Sequence, residues 1–282
     1  MFSGNKKYKK NVLVMASAGF DSTVLMYENL QKKNYVIPLY IRTCINDDQK
    51  NLEIESLRNI TTFFAERYGH DFISYDPKIE EINLSYAEKV MLEQPLVWII
   101  GAYLFSQNGD QQIDEIQLGY IMEDQALSFL EEIKNLWNSL NKFQGPHLGN
   151  KIPKLTFPII KYTKYRTMNI IANMIPEIFH LIHFCESPKE DWTNCETCNS
   201  CKKALRNDYN SFTNLAESNI ENKNLNKFKI QTKGKLFDKF NPQLELFSED
   251  ELFECRSIVR ARGVDDECSC CEPQDACWPT SM

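Results

Sequence analysis

Residues 12–30, with the sequence VLVMASAGFDSTVLMYENL, decide the fold of this chain. The first five residues are apolar and predict a buried strand, and the amphipathic run from residue 24 onward predicts a helix. The polar turn between them, residues 17–23, places hydroxyl groups and backbone amides at the positive end of a helix dipole, where a phosphate would bind. The turn therefore indicates a protein that handles a nucleotide. The alternative is an ordinary strand–turn–helix connection with a Ser or Asp N-cap.

Apolar segments alternate with helical patterns along the first 200 residues or so. The sequence predicts strands at 12–16, 36–41, 72–75, 116–121, 154–160 and 178–184. Strands separated by helices imply right-handed βαβ units and a doubly wound, mostly parallel α/β sheet. Ligands bind such sheets at the carboxyl ends of the strands. We therefore expect three segments to converge: residues 17–22, residues 119–124 and the segment after Pro158.

The charge of the chain is unevenly distributed. The 282 residues carry a net charge of −7, and the excess of acidic residues lies after residue 240. A neutral body argues against a broad nucleic-acid interface, which needs clustered Lys and Arg. The longest apolar stretch, residues 95–105, is too short to span a bilayer, and no secretory signal follows the N-terminal lysines. We expect a cytoplasmic protein without a membrane partner, built from a body up to residue 215 and an acidic, Cys-rich, partly flexible extension over residues 216–282.

Four cysteines have the spacing of a metal site. Cys185, Cys195, Cys198 and Cys201 form the pattern Cys-x9-Cys-x2-Cys-x2-Cys. Four thiolates at this spacing can close a tetrahedral zinc knuckle, which is normally structural. The three closely spaced cysteines alone would also suit an iron–sulfur cluster, but the fourth favours zinc. The cysteines after residue 254 are less regular, which leaves a second metal site and oxidisable thiols as alternatives.

The turn and the knuckle together resemble a known family. The residues Ser17, Ala18, Gly19, Phe20, Asp21 and Ser22 resemble the Ser-Gly-Gly-x-Asp-Ser pyrophosphate loop of the N-type ATP pyrophosphatases. The four-cysteine pattern is similar to that of the 7-cyano-7-deazaguanine synthase branch. Gly119-x4-Asp124 and Pro158-x4-Thr163-Lys164 match two further motifs of that branch. The resemblance implies an ATP pyrophosphatase domain of the adenine nucleotide alpha-hydrolase type over residues 1–215, with the zinc knuckle at 185–201.

What the resemblance implies is an ATP-dependent carbon–nitrogen ligase. Such an enzyme adenylates a carboxylate (7-carboxy-7-deazaguanine or a related acid), and ammonia or an amine then displaces AMP to give an amide or a nitrile. Relatives also occur in phage-defence loci, which makes an antiviral role a further expectation. The expected cofactors are ATP, Mg2+ and Zn2+. The extension is a candidate docking segment for a protein partner, and a homodimer is compatible with the sequence.

The resemblance also assigns residue roles. Residues 17–23, from Ser17 to Thr23, would bind ATP, and Asp21, Asp124 and Lys164 would be catalytic, with Lys164 facing the phosphates and a carboxylate holding Mg2+. The alternatives are an exposed helix lysine at 164 and a helix N-cap at Asp124. Ala18 replaces the second glycine of the family loop, and its Cβ is harmless only if φ is negative there and the phosphate leaves room.

Three substrate-reading segments of the family differ in this chain, namely residues 40–44, 94–98 and 125–129. The ATP-handling motifs are retained. Two alternatives therefore stay open: a nucleoside- or tRNA-modifying ATP pyrophosphatase such as a thiolase, and a non-catalytic nucleotide-binding subunit.

Overall fold

The fold comes from a computed structural model that describes residues 8–43, 47–82, 94–108, 112–143, 153–189 and 193–225. The strands are β1 (Asn11–Met15), β2 (Tyr35–Thr43), β3 (Lys78–Ile82), β4 (Glu115–Leu118) and β5 (Lys154–Thr156). The helices are α1 (Phe20–Gln31), α2 (Asp47–Tyr68), α3 (Gln94–Asn108), α4 (Leu130–Phe143), α5 (Lys164–Met174), α6 (Asn199–Arg206) and α7 (Tyr209–Leu225). Two short 3-10 segments, Gln125–Phe129 and Pro176–Leu181, precede α4 and follow α5.

The five strands form one parallel sheet in the order β3-β2-β1-β4-β5. β1 is buried along its whole length, with Val12 and Val14 in one apolar cluster and Leu13 and Met15 in the other. The first cluster includes residues of α1, α2, α5 and α7, and the second includes residues of α3 and α4. The prediction of a doubly wound parallel α/β sheet is therefore confirmed.

The order of the strands fixes where a ligand would bind. β1 lies between β2 and β4, so the chain passes to one side of β1 first and to the other side later. This reversal is the topological switch point, and ligands of such sheets bind at the carboxyl edge there. The turn at 17–23 and the segment at 119–124 are the loops after β1 and β4.

The predicted third strand was misplaced. Within residues 72–75, Ile73 makes only an isolated parallel bridge to Val36, and the strand that pairs with β2 is β3. β3 has the sequence KIEEI, with several exposed polar residues, because it is the edge strand of the sheet. A polar edge strand gives a weaker sequence signal than the more hydrophobic residues 72–75 that precede it.

The predicted sixth strand, residues 178–184, was also wrong. Its first part belongs to the 3-10 segment Pro176–Leu181, Ile182 is extended, and residues 182–184 do not join the sheet. Pro176 at the first turn favours a helical start, and Ile178 and Phe179 are buried in the apolar cluster that contains α7. The apolar run therefore serves packing between helices rather than strand pairing.

The helix α7 packs on α5 and crosses residue 215, at which the sequence predicts the end of the body. The extension beyond residue 225 lies outside the described residues. Among the residues that are described, no helix has the combination of length and apolar character needed to cross a bilayer.

Candidate active site

The loop after β1 leads directly into α1. Gly19 is the N-cap of this helix and has no side chain with which to cap it. The backbone amides of the first turn, which have no acceptor within the helix, are therefore not capped by this residue. Ser17, Gly19 and Asp21 are partly exposed, whereas Ser22 and Thr23 are buried. The Ser22 hydroxyl donates to the Gly19 carbonyl oxygen at 3.2 Å. The exposed positions 17, 19 and 21 therefore form the accessible side of the predicted nucleotide loop.

Phe20 anchors this loop in the core. Its side chain is fully buried, and its ring contacts those of Phe179, Phe184 and Tyr209, with centroids 5.3 to 6.2 Å apart. Only the backbone amide of Phe20 is therefore suited to meet a ligand.

Ala18 adopts a left-handed conformation with φ 60°. The condition of a negative φ, under which its Cβ would be harmless, is therefore not met. A non-glycine residue in this region costs about 1–2 kcal/mol and persists only where its surroundings hold it. Ala18 is completely buried, and its carbonyl oxygen accepts a hydrogen bond from the His183 amide at 3.2 Å.

Asp21 and Lys164 form an ion pair between the first turn of α1 and the first turn of α5. Lys164 Nζ lies 2.5 Å from Asp21 Oδ2, and the Lys164 side chain is 11% exposed. The Thr167 hydroxyl lies 3.0 Å from Asp21 Oδ1, so both carboxylate oxygens have partners. Lys164 occupies the first turn of α5, whose N-cap Thr163 accepts a hydrogen bond from the Arg166 amide. The buried ammonium of Lys164 excludes the alternative of an exposed helix lysine.

Asp124 pairs with a lysine from another part of the chain. Lys203 Nζ of α6 lies 2.7 Å from Asp124 Oδ1, and the Ile121 amide donates to Asp124 Oδ2 at 2.9 Å. Asp124 is also the N-cap residue of the 3-10 segment Gln125–Phe129, although its side chain makes no capping hydrogen bond there. Burial, followed by the nearby Asp124 carboxylate, raises the pKa of the Tyr120 hydroxyl.

Gly119 brings the two loops into contact. A Cβ at this position would lie 3.2 Å from Ser22 N and 3.3 Å from the carbonyl carbon of Asp21. Both atoms belong to backbone, which cannot swing aside as a flexible side chain can. The absence of a side chain at residue 119 therefore allows β4 to end against the first turn of α1.

The three segments converge as the sequence predicts. The Met122 amide donates to the Tyr162 carbonyl oxygen at 2.9 Å, which ties the loop after β4 to the segment before α5. The loop after β1 joins the same site through the Asp21–Lys164 pair. Sequence reasoning missed Thr167 and Lys203. The i, i+3 spacing of Lys164 and Thr167 on one helix could have suggested Thr167, but nothing in the sequence points to Lys203.

The four predicted metal ligands come together beside this site. The sulfur atoms of Cys185, Cys195, Cys198 and Cys201 all lie within 4.8 Å of one another, and all four are free thiols. Backbone amides donate to these sulfurs: Cys195 N to Cys185 Sγ at 3.3 Å, Cys198 N to Cys195 Sγ at 3.2 Å, and Cys201 N to Cys198 Sγ at 3.4 Å. Such bonds orient thiolates toward a common point. The cluster is a candidate metal centre whose donor set suits one tetrahedral ion.

The thiol pKa values differ among these ligands. Burial by itself would raise the pKa of the Cys195 thiol. Hydrogen bonds from Thr197 and from the backbone of Cys198 outweigh this effect and lower the pKa to about 6. Burial raises the pKa of Cys185 and Cys201. Burial also lowers the pKa of the nearby His183, whose Nε2 is buried and has no hydrogen-bond partner among the described residues.

Neither protein-family descriptions nor curated protein sequences match this chain. Two solved structures resemble it in general shape. One is the U34-tRNA thiolase NcsA from Methanococcus maripaludis with its 4Fe-4S cluster, at 15% identity and a TM-score of 0.41, with 82% of this chain and 78% of the other covered. The second is NMN synthetase from Francisella tularensis, at 12% identity and a TM-score of 0.32, with 76% and 88% covered. These identities and TM-scores are too low to assign roles to residues, so the description of the site rests on its own contacts.

Proposed function

We propose that this chain is an ATP-dependent enzyme that activates a carboxylate as an acyl-adenylate and passes the acyl group to ammonia or an amine. The observation that carries the proposal is the Asp21–Lys164 pair at the switch point, next to the uncapped N-terminus of α1. A lysine ammonium and free helix amides in one site are suited to a polyphosphate. The resemblance of the loop to a pyrophosphate loop supports ATP as the source of that polyphosphate.

Each part of the site has a role in this proposal. The amides of Gly19 and Phe20 and the Ser17 hydroxyl bind the β- and γ-phosphates. Lys164 stabilises the negative charge that develops on the leaving pyrophosphate. Asp21 and Asp124 carry the carboxylates suited to hold Mg2+, which supplies charge neutralisation at the phosphates.

The reaction follows from this arrangement. A carboxylate oxygen of the substrate attacks the α-phosphorus, the bond from this phosphorus to the bridging oxygen breaks, and pyrophosphate leaves. Ammonia then attacks the acyl carbon of the adenylate, the carbon–oxygen bond to AMP breaks, and a proton is lost to give the amide. A second adenylation, on the amide oxygen, would release pyrophosphate, and loss of AMP together with both N–H protons of the amide would then give the nitrile. The substrate that we favour is 7-carboxy-7-deazaguanine or a related acid, and an antiviral setting is the biological context that we favour.

We further propose that the four cysteines bind a single zinc ion with a structural role. Sulfur–sulfur separations within 4.8 Å support this, since a cluster of several iron atoms holds its cysteine sulfurs further apart. The site is closed by four protein ligands, so it has no open position at which a water could be activated.

Pyrophosphate release in the presence of deazapurine carboxylates, with and without ammonia, tests the proposed reaction. We expect release to require ATP and a carboxylate. The Asp21→Ala variant should lose release while remaining folded, because removing the carboxylate leaves Lys164 unpositioned. The Asp76→Ala variant is the matched control, since this aspartate is exposed, with a side chain that is 75% accessible.

Two results would contradict the proposal. Full activity of Asp21→Ala would remove the loop from the mechanism. Retained ATP binding without pyrophosphate release for any carboxylate would instead favour a non-catalytic nucleotide-binding subunit.

A further inference from the structure

The four-cysteine centre and the nucleotide loop are joined by a short extended segment. The His183 amide donates to the Ala18 carbonyl oxygen at 3.2 Å, and Cys185 follows two residues later. His183 also contacts the next loop residue, since its carbonyl oxygen lies 4.0 Å from the position of a Cβ at Gly19. The position of the first metal ligand therefore determines where this segment meets the loop.

A second connection runs through α6. Cys198 is the N-cap of α6, and its sulfur accepts a hydrogen bond from the Cys201 amide. The start of this helix is thus built from two of the four ligands. Lys203 lies one turn further along, and its ammonium pairs with Asp124 at 2.7 Å. The direction of α6, and with it the reach of Lys203, depends on the geometry at the cysteines.

Both connections end on groups that need support from outside. Ala18 has a φ of 60°, a conformation that an alanine keeps only where neighbouring structure holds it. Asp124 lies in a loop, with one carboxylate oxygen on the Ile121 amide and the other on Lys203. The two supports, Lys203 and His183, come from 79 and 165 positions away in sequence, so no local preference of the loops can replace them.

We propose that the four-cysteine centre positions the nucleotide site through two contacts, the His183 amide on Ala18 and the Lys203 ammonium on Asp124. Lys203 is a positioning residue: it acts on ATP through Asp124 and the loop after β4. The inference rests on the proposed function only for its binding readout, because the coupling between metal centre and loops is a property of the fold.

Hydrogen exchange of the full-length protein, with and without a zinc chelator, tests the coupling. We expect chelation to speed exchange roughly tenfold or more in residues 17–23 and 119–124, as for other locally opening segments. The internal reference is α4, which packs on the opposite face of the sheet. Equal acceleration in α4 would show global loosening and overturn the proposal, as would unchanged exchange in the two loops.

The Lys203→Met variant tests the second contact with the metal centre intact. We expect unchanged metal content, faster exchange in residues 119–124 and an increase in the Kd for ATP of roughly tenfold, as for loss of one ion pair at a binding site. The Lys203→Arg variant should recover most of the affinity. Lys202→Met is the matched control on the same helix and should behave as the wild type.

The outcomes separate the two proposals. Coupled exchange in a protein that does not bind ATP would contradict the proposed function and support the coupling. ATP binding and turnover, together with hydrogen exchange in the two loops that changes neither on chelation nor in Lys203→Met, would support the function and overturn the coupling.

Discussion

Ala18 determines the local shape of the candidate nucleotide loop, residues 17–23. Its left-handed φ of 60° turns the chain between the buried end of β1 and the N-cap of α1. Glycine adopts this conformation without a steric penalty, so the alanine stores strain that a glycine would relieve. The methyl group is fully buried, and its burial stabilises the folded state by roughly 0.8 kcal/mol. The two effects oppose each other at one residue.

We expect the Ala18→Gly variant to unfold at nearly the same denaturant concentration, with a free energy of unfolding changed by less than about 1 kcal/mol. Its affinity for ATP should change little, because the methyl group that is removed is fully buried and does not block a phosphate. Ala16→Gly is the control: this alanine is also buried but has no positive φ, so its replacement should destabilise by about 1 kcal/mol without changing binding. Calorimetric ATP titration and urea unfolding give the two quantities. A large loss of stability in Ala18→Gly would show that the methyl contact outweighs the strain.

At the level of elements, the contact between β4 and α1 depends on Gly119. The Gly119→Ala variant places a methyl group 3.2 to 3.4 Å from the backbone of Asp21 and Ser22. We expect a loss of about 1–3 kcal/mol of stability together with weaker ATP binding, as for overpacking elsewhere. Gly19→Ala is the matched control, because its φ is −75° and its Cβ would meet nothing closer than 3.8 Å. It should keep the fold and lose only ATP affinity, and equal unfolding curves for the two variants would contradict the prediction.

A buried polar network joins β4 to its neighbours. Glu115 accepts hydrogen bonds from Thr156 of β5 and from Gln117 at 2.7 Å, and it pairs with Lys10 at 2.9 Å. Gln117 in turn accepts from Asn29 of α1 at 2.6 Å. Burial opposes the charge of Glu115, but the hydrogen bonds outweigh it and hold its pKa below the ordinary value of 4.5.

The lowered pKa of Glu115 predicts a pH-dependent contribution to stability. Because the folded pKa lies below the unfolded one, the contribution is fully present above about pH 4.5 and is lost as the pH falls through the folded pKa. We expect Glu115→Gln to cost about 1–3 kcal/mol at pH 7 and much less near pH 3. Urea unfolding at the two pH values measures this, with the exposed Glu66→Gln as control. A cost independent of pH would assign the effect to shape rather than charge.

The sequence predicts the central elements well and the edges poorly. β1 and β2 are apolar runs buried in the middle of the sheet, so hydrophobicity alone identifies them. β3 is a polar strand that nevertheless pairs at the edge of the sheet. Residues 178–184 are largely apolar but pack between helices and form no strand. Strand prediction from one sequence fails where burial and pairing are different properties.

The candidate site divides in the same way. Asp21, Lys164 and the four cysteines belong to local patterns, which a sequence displays directly. Thr167 and Lys203 reach the site by contacts over 146 and 79 positions of the chain, to Asp21 and Asp124. Those contacts depend on how α5 and α6 pack, and packing is a tertiary property that periodicity does not report.

On the scale of the whole molecule, the metal centre lies where three parts of the chain meet. Cys185 ends the segment that follows α5, the next two ligands lie in a loop, and Cys201 lies in α6. α6 and α7 then pack against α5 and the 3-10 segment before the centre. A metal ion here would close a loop of 17 residues, Cys185 to Cys201, and fix the C-terminal helices of the described chain to the nucleotide domain.

We therefore expect about one zinc ion per chain and a loss of stability, largest in the C-terminal helices and in the loops that they hold, when a ligand is removed. Cys198→Ser should lower the zinc content, and it should lower the free energy of opening this region because metal-binding energy is folding energy at such sites. Activity should persist in the fraction that remains folded, with the weaker ATP binding that loss of the Lys203 support implies. Ser200→Ala is the control within the same loop, since this hydroxyl only donates to the exposed Glu186 at 2.7 Å. Metal analysis of the purified protein, combined with thermal unfolding of both variants, decides the matter. Stoichiometric iron, or a Cys198→Ser variant as stable as the wild type, would contradict a structural zinc site.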